Sequence, residues 1–207
     1  FTKYKRKPLI RIDNMKIALV NYGAGNIKSL QFALERLGVQ GVLSSNPIKI
    51  KNADKVIFPG VGEASSAMKK LKETGLDVLI PQLKQPVLGI CLGMQLMCSR
   101  TEEGNTVGLG IFDVTIKRFQ NTLKVPQMGW NTLENMNSGL FNEIDSGDYM
   151  YSVHSYYADL CKDTIAQTTY GIPYSCALNK NNFYGVQFHP EKSSKAGSQI
   201  LSNFLEL

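Results

Sequence analysis

The chain has 207 residues, of which 43% are hydrophobic and 19% charged, ordinary figures for a soluble globular protein long enough to bury a substantial core in one domain. Its formal net charge of +6 does not indicate nucleic acid: Lys3, Lys5, Arg6, Lys7 and Arg11 against Asp13 place +4 within residues 1–14, leaving +2 scattered over the rest. No run is long enough to span a membrane; the longest apolar-rich one, Val87 to Cys98, contains two glycines.

Residues 1–14 read as a basic leader without the apolar block of a secretory signal, with Met15 as a candidate original start and 15–207 as one domain. The four cysteines, Cys91, Cys98, Cys161 and Cys176, show no C-x-x-C spacing and read as reduced thiols of a cytoplasmic protein. With two histidines in the whole chain, a structural zinc site is not expected, and neither a metal nor a cofactor is called for.

In chain order, residues 16–21 form a short apolar run read as a buried strand. A helix follows in which Ile27, Leu30, Leu34 and Leu37 share a face before Gly38. Gly23-Ala-Gly25 between them resembles a dinucleotide fingerprint, but Lys28 stands where its third glycine belongs, and the second strand (39–45) ends in serines instead of an acid. A tight turn accounts for these glycines. A third strand covers 55–58, helices are expected over 63–71 and 76–83, and a fourth strand over 87–90, leading into a helix that carries both Cys91 and Cys98. Strands alternating with helices indicate a parallel sheet covered on both faces. Beyond residue 110 the pattern changes to strands at 111–117, 149–154, 164–169, 175–178 and 183–188 with little helix between them, then a final helix over 194–205. The fold class is therefore α/β, a mainly parallel central sheet with an antiparallel flank.

Within that frame Cys91 occupies a glycine-flanked turn between strand and helix, in Gly89-Ile-Cys-Leu-Gly-Met-Gln95. Unpaired N–H groups and the dipole at a helix start favour a thiolate, and small flanking residues suit a nucleophile elbow. A buried cysteine serving as a small hydrophobe fits the same local pattern. A nucleophile needs a base, and the base an orienting group. His189 ends a strand in Gly185-Val-Gln-Phe-His-Pro-Glu191, and alternate residues of an extended segment share a side, so Glu191 can orient its ring. His154 lacks such an acid and reads as a hydrogen-bonded ring lining a cleft. The Pro59-Gly-Val-Gly62 turn also falls at a strand end, where its N–H groups and that of Leu92 can build an oxyanion hole; a plain strand-to-helix loop would look the same.

These residues resemble the class I, triad-type glutamine amidotransferases, in the elbow around Cys91 and in the His189-Pro-Glu191 segment, and the likeness runs from Met15 to the end of the chain. It implies a flavodoxin-like three-layer fold. It also implies a triad of Cys91, His189 and Glu191, an oxyanion hole at Gly60, Val61, Gly62 and Leu92, and an L-glutamine site formed by Gln95, Glu103 and the backbone near Ser155 and Tyr156. Further segments, Asn21-Tyr-Gly-Ala-Gly-Asn-Ile27, Gln127-Met-Gly-Trp-Asn131 and Tyr151-Ser-Val-His-Ser-Tyr-Tyr157, resemble family members that work as a heterodimer with a (β/α)₈-barrel cyclase subunit. That implies ammonia delivery to the barrel past Asn26, Trp130, Tyr151 and Lys192. The alternative for Lys192 is a solvated charge, but a cation near a helix start is mildly unfavourable, which favours pairing with an acid of the partner. Those relatives commonly carry histidine at the position of Gln127. A cysteine hydrolase of another kind, and a regulatory module with an inherited pocket, are the competing readings.

Overall fold

The computed structural model describes residues 15–23, 27–120 and 122–207. The leader and the 24–26 segment, with Asn26, lie outside the described residues.

The first half builds parallel strands because each is apolar along its whole length. β1 (Ile17–Val20), β3 (Lys55–Gly60) and β4 (Val87–Cys91) are buried at every position, as strands covered on both faces must be, while the shorter edge strand β2 (Gly41–Ser44) is buried only at its ends. Between them run α1 (Ile27–Arg36), α2 (Pro47–Lys51), α3 (Ala64–Glu73) and α4 (Leu76–Leu79). α5 (Leu92–Met97) follows β4 directly. The order β2-β1-β3-β4 is parallel throughout.

The second half continues the same sheet. β5 (Cys98–Thr101), β6 (Thr106–Val107), β7 (Phe112–Arg118), β10 (Tyr156–Ala158), β11 (Thr164–Tyr170), β12 (Ile172–Lys180) and β13 (Phe183–Val186) complete an eleven-stranded sheet. β13 returns parallel beside β4, whereas β12 pairs antiparallel with β13, β10 and β11. β8 (Gln127–Thr132) and β9 (Tyr149–His154) form a separate two-stranded sheet, and α6 (Ser194–Glu206) closes the described chain. One apolar core, with Leu30 and Leu34 of α1 and Ile200 and Phe204 of α6, lies on one face of the large sheet; Ile50, Ala67, Leu71 and Leu76 of α2 to α4 join the core on the other. Three layers result. No helix among the described residues is long and apolar enough to cross a membrane.

The structure departs from the sequence expectations in instructive places. The helix after Cys91 stops at Met97, so Cys98 caps it and opens β5 instead of sharing the helix; Cys98 is nevertheless fully buried. The expected helix over 76–83 ends at Leu79 and tightens into a 3₁₀ turn, Ile80–Gln82, where Pro81 offers no N–H for the α ladder. α2 was not anticipated, although Asn46-Pro47 is a start signal: Asn46 Oδ1 accepts from the N–H groups of Ile48 and Lys49. β8 was missed because its residues show no alternation and include Gly129 at φ +146°; pairing with β9 makes it a strand. Glu63 caps α3 from outside, its carboxylate accepting from Ser65 and Ser66, and these hydrogen bonds hold it down at about 2.

The elbow depends on one close approach. A Cβ on Gly93 would lie 1.8 Å from the Phe58 carbonyl oxygen, so α5 can sit against β3 only with glycine there. Gly93→Ala is expected to cost about 3 kcal/mol through overpacking, a fall in Tm of roughly 6–12 °C for a domain of this size. Gly147→Ala, with nothing within 4 Å of the added carbon, is the control and should leave Tm nearly unchanged. Equal melting of the two variants in a thermal scan would contradict this.

Candidate active site

Three neighbouring parallel strands, β3, β4 and β13, end together, and open α/β sheets collect ligands at such carboxyl ends. Gly60 is in register with Cys91, and the segment after Val186 runs on to His189. Cys91 itself takes φ +53°, ψ −112°, a conformation that L-residues avoid and that costs about 1–3 kcal/mol. The strain turns the chain sharply from strand to helix and presents the sulfur at the turn, as a nucleophile elbow requires.

His189 and Glu191 meet as their spacing predicted. Glu191 Oε1 lies 2.9 Å from His189 Nδ1, both side chains being almost fully buried. Among the described residues His189 Nε2 makes no hydrogen bond of good geometry, yet it lies close enough to the Cys91 sulfur for the two to interact. Burial opposes a charge on the ring, but Cys91 and Glu191 outweigh it and hold His189 up at about 10, so the imidazole keeps both protons at neutral pH. The loop is pinned from the neighbouring strand: His189 N–H donates to the Tyr151 carbonyl (2.8 Å), Tyr151 N–H to Ser193 Oγ (2.9 Å), and Ser193 Oγ–H to the His189 carbonyl (2.7 Å).

Cys91, Leu92, Val61, Gly62, Gln95, Glu103, Ser155, Tyr156, His154 and His189 all line one cleft of about 300 Å³. Glu191 stands behind His189, and Gly60 lines a small void beside it with Val61. Glu103 Oε2 accepts from Ala64 N–H (2.9 Å); burial raises its pKa, that hydrogen bond lowers it, and Glu63 nearby raises it, with a net rise. Gln95 Nε2 donates to the Tyr156 carbonyl (3.1 Å) and to Gln187 Oε1 (2.9 Å). Both its protons are thereby used inside the protein, and its carbonyl oxygen is the atom left to face a ligand.

His154 is the hydrogen-bonded cleft ring the sequence suggested. Its Nδ1–H donates to the Tyr156 carbonyl (2.7 Å) and Nε2 lies 3.1 Å from the Tyr174 hydroxyl. Burial lowers its pKa, the Tyr156 carbonyl raises it and the His189 charge lowers it, leaving it at about 4 and the ring neutral. Gln127 joins this group, its Oε1 2.9 Å from the Tyr174 hydroxyl and its Nε2 donating to Asn131. Gln127 therefore fills its place as a neutral hydrogen-bonding partner.

Trp130 and Tyr151 face each other across the β8–β9 pair with rings 5.7 Å apart, and Lys192 Nζ lies 5.9 Å from the Tyr151 ring. Trp130 is 51% exposed, an aromatic residue on the surface. Sequence reasoning overlooked Gln187, although it lies inside the Gly185–Glu191 motif. It is fully buried and its Nε2 is 3.7 Å from the Cys91 sulfur. The two-residue spacing that linked His189 to Glu191 could have linked Gln187 to His189 in the same way.

Comparison with known proteins agrees with this geometry. The family model "Glutamine amidotransferase class-I" matches residues 18–207. The "Imidazole glycerol phosphate synthase subunit HisH" of Bacteroides fragilis (strain YCH46) is 55% identical over 196 residues, 93% of this chain and 100% of that protein. The protein of the same name from Yersinia pseudotuberculosis is 44% identical over the same shares. Two solved structures share the fold: a glutamine amidotransferase (TM-score 0.72, 17% identity, covering 91% of this chain and 97% of the other) and PurLQS from Thermotoga maritima (TM-score 0.70, 15% identity, 93% and 99%). At those identities they speak for architecture alone. The chain belongs to the class-I glutamine amidotransferases.

Proposed function

We propose that this chain is the glutaminase subunit of a cytoplasmic imidazole glycerol phosphate synthase, and that Cys91, His189 and Glu191 are its triad. What carries the reading is the convergence of sulfur, imidazole and oriented carboxylate on one cleft, in a chain 55% identical along nearly its whole length to a protein of that name.

In this reading the Cys91 sulfur attacks the side-chain amide carbon of L-glutamine. The oxyanion that forms is held by the Leu92 N–H and by N–H groups of the Gly60-Val61-Gly62 turn. His189, which holds its second proton at neutral pH, passes that proton to the departing nitrogen, and ammonia leaves a γ-glutamyl thioester. Water then gives a proton to His189 and attacks the thioester, releasing glutamate and the thiolate. Glu191 keeps the ring oriented and balances its charge. Glu103 meets the substrate ammonium, the Gln95 carbonyl oxygen meets a donor of the substrate, and backbone N–H groups near Ser155 and Tyr156 meet its carboxylate.

Ammonia released into neutral water is protonated and loses its nucleophilicity, so direct transfer conserves it. The exposed Trp130, with Tyr151 against it and Lys192 over the Tyr151 ring, forms the face for a (β/α)₈-barrel cyclase; Asn26, outside the described residues, is assigned to that face by the family resemblance alone. That subunit uses ammonia on a phosphorylated ribulosyl-formimino compound, giving imidazole glycerol phosphate and the aminoimidazole carboxamide ribotide. The backbone bonds joining Tyr151 to His189 and Ser193 tie that face to the triad.

Cys91→Ala and His189→Ala are each expected to lower glutamine-dependent turnover by at least about a thousandfold, while the cyclase reaction driven by ammonium salts survives in the same complexes. Near-normal glutamine use by Cys91→Ala would end the proposal. Glu191→Gln keeps the shape but removes the charge that helps raise His189, so the alkaline limb of kcat/KM should move to lower pH; an unmoved limb would contradict the role given to Glu191. Trp130→Ala should weaken cyclase binding by roughly tenfold or more, measured by calorimetry, if that indole is an interface anchor.

A further inference from the structure

Gln187 is buried in the core yet ends on the reacting sulfur, and its orientation is dictated from the far side. The Tyr156 carbonyl can only accept, so the Gln95 side chain must turn its NH₂ group toward it. The same NH₂ group, 2.9 Å from Gln187, then requires the Gln187 carbonyl oxygen to face it. That leaves the Gln187 NH₂ group directed at Cys91, at 3.7 Å from the sulfur. Turning the Gln187 amide over would set two NH₂ groups against each other and an oxygen against the sulfur. The Val153 carbonyl, 3.9 Å from the sulfur, can only accept and so cannot stabilise a negative sulfur. Gln187 also receives its backbone from β12, its N–H donating to the Cys176 carbonyl at 2.8 Å.

Resting on the glutamine-hydrolysing reading above, we infer that Gln187 is a catalytic hydrogen-bond donor to the Cys91 thiolate, held in its donating orientation by the Tyr156–Gln95–Gln187 amide chain. The chain of amides ends at residues that line the substrate cleft, so the ligand pocket and the sulfur share one hydrogen-bonded unit. Unlike His189, Gln187 does not titrate. It offers the same donor when the thiolate attacks and when it leaves the thioester, and it supplies no proton at either step.

The test is alkylation of Cys91 by iodoacetamide in the full chain, followed by mass spectrometry between pH 6 and 10, beside steady-state glutaminase kinetics. Gln187→Met keeps the length and apolar packing of the side chain but has no donor. Its Cys91 should alkylate roughly tenfold or more slowly than wild type at pH 6.5, with the two rates converging near pH 10, because a hydrogen bond to a charged group is worth about that factor. Its kcat should fall by a comparable factor with KM within about threefold. A merely structural role would slow alkylation equally at every pH. Gln187→Glu, which sets a carboxylate against the sulfur, should be slower still at pH 6.5. Should Gln187→Met not fold, Gln95→Met, which leaves Gln187 present but frees its amide to turn, should slow alkylation in the same direction at pH 6.5. Profiles superimposable on wild type would overturn the role of Gln187 while Cys91 remained the fast thiol. A wild-type chain in which Cys91 reacted no faster than Cys161 at pH 6.5 would overturn the glutamine-hydrolysing reading and this inference with it.

Discussion

The molecule rests on a strained turn. Cys91 is held at a positive φ because β4 runs straight into α5 with no loop between them, and α5 packs so closely on β3 that only Gly93 fits beneath the Phe58 carbonyl. A cost of about 1–3 kcal/mol for such a backbone persists only where the surroundings over-determine it. Here they do: β4 is central, buried throughout and paired on both sides, with β3 and β13. The strained residue is also the one whose sulfur opens into the cleft.

From that anchor the rest of the site follows by register. β3 ends at Gly60 opposite Cys91, which brings the 60–62 turn beside the sulfur. β13 is parallel to β4 and ends next to it, so the chain beyond Val186 delivers Gln187 and His189 to the same point. Glu191, two residues further, completes the pair behind the ring, and the small β8–β9 sheet holds that segment by backbone hydrogen bonds. Three segments distant in sequence therefore converge because parallel strands end on one side of a sheet, a property of topology and not of any single contact. Two of the other thiols are set apart by burial: Cys98 and Cys176 lie in the core, where desolvation pushes both well above the usual thiol range.

Much of this was legible before any coordinates. Apolar runs bounded by glycine and proline gave the parallel strands, and helical spacing in 27–37 gave α1, because burial on both faces writes itself into composition. The placement of the three proposed triad residues was legible for a local reason: Cys91 carries its elbow glycines with it, and His189 and Glu191 sit two apart on extended chain. What escaped notice was non-local. β8 has no pattern of its own and becomes a strand by pairing with β9; α5 is cut short because Cys98 is drawn into the sheet beside β7. Gln187 reads as an ordinary polar residue in a strand until folding brings Gln95 and Cys91, 92 and 96 positions away, against its amide.

The central claim is that the Cys91 sulfur is the atom that takes the glutamyl group. Incubating the chain with a glutamine-shaped electrophile and locating the adduct by peptide mass spectrometry tests it most directly. One covalent adduct per chain at Cys91, slowed by excess glutamine and not by asparagine, is the predicted result. Labelling spread over other cysteines, or labelling of Cys91 that glutamine leaves unchanged, would contradict it.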